Sequence, residues 1–127
     1  MLRDDGTGGL SRTIIGVAIR LHKRYGPGLL EHAYRAPFVW ELERLGFALE
    51  CERPLPLIHE GVRVERAYKL DIVIENRLVV EVKSIRQLAD IHRQQLRTYL
   101  RLSGIPVGLL INFNVPILRH GVRRVIL

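Results

Sequence analysis

Three ionisable side chains on two apolar segments carry the first chemical signal. Lys69-Leu70-Asp71-Ile72-Val73-Ile74 and Val79-Val80-Glu81-Val82-Lys83 both read as strands of a buried sheet. Side chains alternate along a strand, so Glu81 and Lys83 share a face. Asp71 and Val73 share another, opposite Leu70, Ile72 and Ile74. Charges on such strands are costly unless they are paired or bound to a metal. Whether the three meet depends on the connection between the strands. A two-residue turn at Asn76-Arg77 sets Asp71 opposite Val82 and away from Glu81. A three-residue loop, Glu75-Asn76-Arg77, sets Asp71 opposite Glu81 and brings all three to one face. Asn76 tolerates the left-handed backbone that such loops need, so the three-residue loop is the expectation.

Brought together, these residues have a definite chemistry. Two carboxylates, Asp71 and Glu81, are hard oxygen ligands suited to Mg²⁺, which keeps several of its waters. The Val82 carbonyl between Glu81 and Lys83 is a candidate further ligand. A bound metal acidifies water and neutralises phosphate charge. Lys83 beside it can orient or deprotonate the attacking water, or stabilise the charge that develops on phosphorus. That is phosphodiester hydrolysis. An ordinary ion pair at a strand end would use the same residue types, and a lone Glu-x-Lys favours that plainer reading. The Asp on the neighbouring strand brings the two readings level.

Further residues enter through a resemblance. Asp71, then Glu81-Val82-Lys83, then a helix carrying Gln95 and Tyr99, resembles the PD-(D/E)xK nuclease superfamily. Gln95-Leu96-Arg97-Thr98-Tyr99 is similar to the Q-x-x-x-Y helix of its RecB-like branch. Gly28-Leu29-Leu30-Glu31-His32-Ala33-Tyr34 resembles the signature of the GxxExxY family, as do the flanks Gly26-Pro27 and Leu109-Leu110-Ile111-Asn112-Phe113. The likeness spans roughly residues 13 to 127. It implies a restriction-endonuclease-like core in which Glu31 completes the metal site of Asp71 and Glu81, and Lys83 is catalytic. Gln95 and Tyr99 would then position the substrate phosphate or the lysine. Tyr34 shares a helix face with Glu31 and is a candidate substrate contact, although core packing is the commoner role for such an aromatic. Arg86, just past the lysine strand, is placed to touch substrate. The implied cofactor is Mg²⁺, with Mn²⁺ as a substitute, and the implied partner is nucleic acid, DNA before RNA. A homodimer would suit a small enzyme that cuts both strands. Pro37 departs from the continuous helix that the likeness implies.

The elements that must position these groups are legible in outline. Ser11 can cap a helix running to Arg24, with Ile14, Ala18 and Leu21 on one face. Gly26-Pro27-Gly28 ends it, and a second helix spans about 29–45, stopped at Gly46 and kinked or broken at Pro37. A strand over 47–53 meets Pro54 and Pro56, which make it an edge strand or end it. Short strands follow at 57–59 and 62–65, then the two site strands at 68–74 and 78–83. A helix over 89–102 has Asp90 as a possible cap and Gly104 as its stop. Strands at 107–113 and 122–127 flank a loop over 114–121. The order is α/β, a central mixed β-sheet flanked by α-helices. We expect residues 1–9 to form a flexible N-terminal arm and 10–127 a single nuclease-like domain.

Bulk properties narrow the class. The chain has 127 residues, 47% of them hydrophobic, enough for a real core. Twenty Lys and Arg face 13 Asp and Glu, for a net charge of +7. That surplus suits a polyanion, nucleic acid foremost, but plain solubility explains it about as well. A single cysteine, Cys51, excludes an internal disulfide or a cysteine metal cluster, and its acidic neighbours argue against a reactive thiol. The five histidines lack zinc-site spacing. There is no apolar signal core or membrane span, so a cytoplasmic location is expected. Arg93, Arg97 and Arg101 form a helical stripe facing away from Gln95 and Tyr99, and His92 reads as a surface residue at a helix start. Against the nuclease reading stands a non-catalytic nucleic-acid-binding or protein-interaction module on the same fold.

Overall fold

The computed structural model describes residues 8–127. Most of the expected flexible arm therefore lies outside the described residues, while Gly8 and Gly9 begin the first helix. Helix α1 spans Gly8–Tyr25 and α2 spans Glu31–Arg44. Strands β1 (Leu49–His59), β2 (Val62–Ile74) and β3 (Leu78–Lys83) follow. Helix α3 (Asp90–Ser103) leads to β4 (Val107–Asn112), a short 3₁₀ turn at Leu118–Gly121 and β5 (Val122–Ile126). The five strands lie in sequence order, and only β3 and β4 run parallel, with α3 as their crossover. The sheet is thus mixed and flanked by helices, an α/β architecture.

Helices cover both faces of the sheet. On one face Ile14, Val17, Ala18 and Leu21 of α1 and Tyr34, Phe38 and Leu42 of α2 pack on Ile72, Ile74, Val80, Val82, Leu109 and Ile111. On the other, Leu96, Tyr99 and Leu100 of α3 pack on Val73, Val79, Leu110 and Val125. Buried on both faces, β3 and β4 need apolar residues at nearly every position, and all six residues of β4 are buried. Gly108 of β4 allows α3 its close approach, since a methyl group there would stand 2.9 Å from both Leu96 δ-carbons. Among the described residues, no helix is long and apolar enough to cross a membrane.

Several local expectations need correction. Ser11 is not a cap; it lies inside α1 and is buried, its hydroxyl without a partner. Pro37 does not break α2, because Tyr34, Phe38 and Leu42 on both sides of it are wholly buried and hold the two halves to one core. Asp90 is the first residue of α3 rather than its cap; Ala89 takes that place, and its N–H donates to His92 Nδ1 at 2.8 Å. The prolines leave β1 whole. It runs through Pro54 and Pro56 as an edge strand, with a register shift between Leu55 and Leu57. Its partner, expected as two strands, is the single long β2.

Candidate active site

The geometry of the site begins with the β2–β3 loop. Glu75 and Asn76 both take left-handed backbone, at φ 54° and 51°, and the Arg77 N–H donates to the Ile74 carbonyl. Ile74 therefore pairs with Leu78, Val73 with Val79 and Ile72 with Val80, the register of a three-residue loop. Continued by one step, that register sets Asp71 against Glu81. There the backbone ladder stops and side chains replace it. The Asp71 N–H donates to Glu81 Oε1 at 3.2 Å, and the Val82 N–H donates to Asp71 Oδ2 at 2.8 Å. The two carboxylates thus stand in a notch where the strands part.

Strand alternation fails at this same place. Leu70 packs with Val73 on the α3 face rather than with Ile72 and Ile74. Opposite the notch, Glu52 of β1 sits at φ 54°, so the edge strand is itself distorted there. The distortion lets Asp71 reach the α2 side of the sheet while Lys83 lies on the α3 side, so the expectation that all three charges share one face is corrected.

Burial governs the electrostatics of the pair. Both carboxylates are only 7% exposed. Loss of solvation lifts Glu81 from its ordinary 4.5 to about 7, and the Asp71 charge adds to the rise; the bond from the Asp71 N–H and the charge of Lys83 oppose it. Asp71 is also raised, again chiefly by burial, against the lowering effects of the Val82 N–H and of Arg35. Two carboxylates held in this way call for a cation.

Arg35 supplies one. Its Nε stands 2.6 Å from Asp71 Oδ1, close enough for an ion pair but without hydrogen-bond alignment. Its Nη2 makes an aligned 2.8 Å bond to Glu31, one helical turn earlier on α2. Glu31 is consequently joined to Asp71 through a guanidinium. Among the described residues no three His, Cys, Asp or Glu side chains are grouped to hold a metal ion. Glu31 of the expected cage with Asp71 and Glu81 is here paired with Arg35, which also pairs with Asp71.

The remaining predicted residues divide. Lys83 and Gln95 line an open groove of about 590 Å³ between α3, the end of β3 and the middle of β2, lined also by Tyr68, Ile91, His92, Gln94 and Thr98. Tyr99 is buried behind it, its ring 5.4 Å from that of Tyr68. Burial, with the Glu81 charge next, pushes the Tyr99 hydroxyl up to about 12, so it stays protonated. Arg86 is exposed and does not line the groove. Arg93, Arg97 and Arg101 are exposed and outside it too, as their helical stripe implies.

Tyr34 is a correction. It is wholly buried, stacked on Phe113 at 4.5 Å, and its hydroxyl donates to the Gly26 carbonyl while accepting the Leu29 N–H. It shapes the loop before α2 and does not touch the groove. That loop in turn holds the end of β3, because the Ser84 hydroxyl donates to the Leu29 carbonyl at 2.6 Å.

Sequence reasoning missed three contributors. Arg35 lies one turn from Glu31, a spacing that signals an ion pair on the helix. Asn112 is buried in β4; it accepts the Ile85 N–H and donates to the Ile85 carbonyl, pinning the chain just after Lys83. A buried amide in an otherwise apolar strand was the available signal. Tyr68 begins the strand segment that carries Asp71. It looks like an ordinary strand aromatic, and only the placement of α3 makes it a wall of the groove.

A mixed sheet with paired acidic groups at a strand divergence, and a lysine two residues on, defines a nuclease-type α/β fold. A family model for the PD-(D/E)XK nuclease superfamily matches residues 9–125, and the chain belongs to that superfamily. A search of the curated proteins returns no match, and neither does a search of the solved structures. Nucleases of this superfamily generally use divalent metal ions and act on nucleic acid.

Proposed function

We propose that the chain is a metal-dependent nuclease that hydrolyses phosphodiester bonds, with DNA preferred over RNA, and that it falls in the GxxExxY branch of its superfamily. The observation that carries this reading is the pair of bonds by which Asp71 and Glu81 cross the notch, with Lys83 two residues on. Mg²⁺, or Mn²⁺ in its place, fits a donor set of two buried carboxylates and the Val82 carbonyl, because these are hard oxygens lacking full compensation for their charge. When bound, the ion would supply acidified water and neutralise phosphate charge. Lys83 would orient that water or stabilise the developing charge, and Gln95, beside it in the groove, would hold the phosphate. Tyr99 would act through Tyr68, as a protonated floor beneath the site. Glu31 would join the metal only on release from Arg35.

The test is cleavage of labelled DNA and RNA by the purified chain with Mg²⁺ and with Mn²⁺. Lys83→Ala is expected to reduce cleavage at least about a hundredfold, the usual scale for loss of such a group, with the melting temperature unchanged. Equal cleavage by the variant refutes the assignment. The Arg35–Asp71 contact favours one second reading, a nucleic-acid-binding module that has lost catalysis. Its mark is salt-sensitive binding that persists in a chelator, with no cleavage under either metal.

A further inference from the structure

We propose that the groove between α3 and Tyr68 receives an unpaired nucleotide, so that the substrate is single-stranded or frayed nucleic acid rather than intact duplex; this rests on the nuclease reading above. The groove, at about 590 Å³, lies within the range of about 300–1,000 Å³ typical of small-ligand sites. Its chemistry suits a base better than a duplex backbone. Duplex is gripped mainly through phosphates by many cations, yet Lys83 is the one Lys or Arg among the lining residues. None of the α3 arginines lines the groove, and Arg101 reaches only the Thr98 hydroxyl at its edge, at 3.2 Å. What lines the groove are two amides, Gln94 and Gln95, with His92 and with Thr98, whose hydroxyl already donates to the Gln94 carbonyl and accepts from Arg101. Side-chain amides are donors and acceptors of the kind that read exposed base edges.

Two further features fit an unpaired strand. Tyr68 is a flat wall for a base, its ring tilted 60° against Tyr99 and so held in place from behind. His92 is set as a donor, since its Nδ1 already accepts the Ala89 N–H, which leaves the proton of the neutral ring on Nε2. Tyr68 also lines a second hollow of about 290 Å³ with Arg66, Lys69, Glu52 and Pro54. The two hollows therefore share Tyr68 in their walls. A strand crossing from one to the other would carry a base against Tyr68 and the neighbouring phosphate towards Arg66, with Lys69 held at 3.3 Å by Glu52.

The experiment is fluorescence anisotropy with Ca²⁺ in place of Mg²⁺, using short labelled single-stranded DNA, its RNA counterpart and the blunt DNA duplex. At least one single strand is expected to bind about tenfold or more tightly than the duplex. Tyr68→Leu keeps an apolar side chain against Tyr99, and Gln94→Ala changes an exposed residue. Each is expected to weaken single-strand binding, the first by about tenfold, the scale of one lost base stack, without lowering the melting temperature. Duplex binding as tight as single-strand binding, or two folded variants that bind like the parent, overturns the proposal. Failure of the nuclease reading looks different: single-strand binding that depends on Tyr68, with no cleavage under any metal. Cleavage of duplex that is indifferent to Tyr68→Leu leaves the nuclease and removes the groove.

Discussion

Replacing Glu81 with Gln is expected to stabilise the metal-free protein at alkaline pH while removing a ligand of its proposed metal. The folded state lifts the Glu81 carboxyl from 4.5 to about 7. At about 1.4 kcal/mol per tenfold change, that rise corresponds to about 3 kcal/mol. The sign follows from proton counting. Below pH 4.5 both folded and unfolded chains are protonated at this position. Between 4.5 and 7 the folded chain keeps a proton that the unfolded chain releases, so stability falls as pH rises; above 7 the loss is complete. Asp71, also raised by burial, acts in the same direction. Glu81→Gln keeps an oxygen to accept the Asp71 N–H and removes the ionisation. Urea denaturation read from about pH 5 to pH 8 is the assay, with the slope m checked for constancy. Relative to the parent, the variant is expected to gain roughly 2–3 kcal/mol over that range. Groups that titrate alike in both proteins cancel in the difference. Mg²⁺ is expected to restore stability to the parent at pH 8 and to do little for the variant. Parallel pH curves, or a variant less stable at pH 8, would refute the claim that burial of this carboxylate is uncompensated.

Three further substitutions probe the surroundings. Arg35→Gln removes the guanidinium beside Asp71 and is expected to tighten Mn²⁺ binding about tenfold at pH 8 by calorimetry, since a full charge within a few ångströms opposes a divalent cation; unchanged or weaker binding counts against Arg35 as a competitor. Tyr34→Phe removes two hydrogen bonds from the loop before α2 and is expected to cost about 1–3 kcal/mol in urea denaturation, and a cost near zero would mean that the hydroxyl does not hold the loop. Gly108→Ala drives a methyl group against Leu96 and is expected to cost about 1–3 kcal/mol and to weaken substrate binding through displacement of Gln95; unaltered stability would show that α3 can move off the sheet freely.

The sequence was most informative where one physical rule dominates. Apolar runs bounded by Gly and Asn placed β3 and β4 closely, because strands covered on both faces have few alternatives. The Asp71–Glu81 juxtaposition was legible because strand register leaves only two outcomes and Asn76 favours one of them. Tyr34 and Tyr99, named as candidate substrate contacts, both prove buried, because the spacing of a motif residue shows only which helix face it takes and not whether that face meets a ligand or the core. The long β1–β2 ribbon was read in pieces because Pro54 and Pro56 look like strand ends, whereas on an edge strand their missing N–H groups cost little. Arg35 and Tyr68 could not be placed from spacing alone. Their roles arise from how α2 and α3 dock, which is decided by packing far along the chain at Phe113 and Gly108.

Arg35 also bears on how such a site survives without the proposed metal. A pair of carboxylates in this notch is a liability for folding, because burial raises both and the Asp71 charge lifts Glu81 further. A neutral or apolar pair would fold better, so the acids need a counter-charge or a task. Arg35 gives Asp71 a partial answer and Glu81 almost none, and it is Glu81 that is lifted to about 7. The guanidinium bonds Glu31 through Nη2 at 2.8 Å and pairs with Asp71 through Nε at 2.6 Å, so it ties the helix to the sheet on the Asp71 side alone. A divalent ion between Asp71 and Glu81 would answer both charges at once, which one guanidinium on the α2 side cannot do. The residual imbalance at Glu81 is therefore the feature that favours the proposed metal over an ordinary structural ion pair.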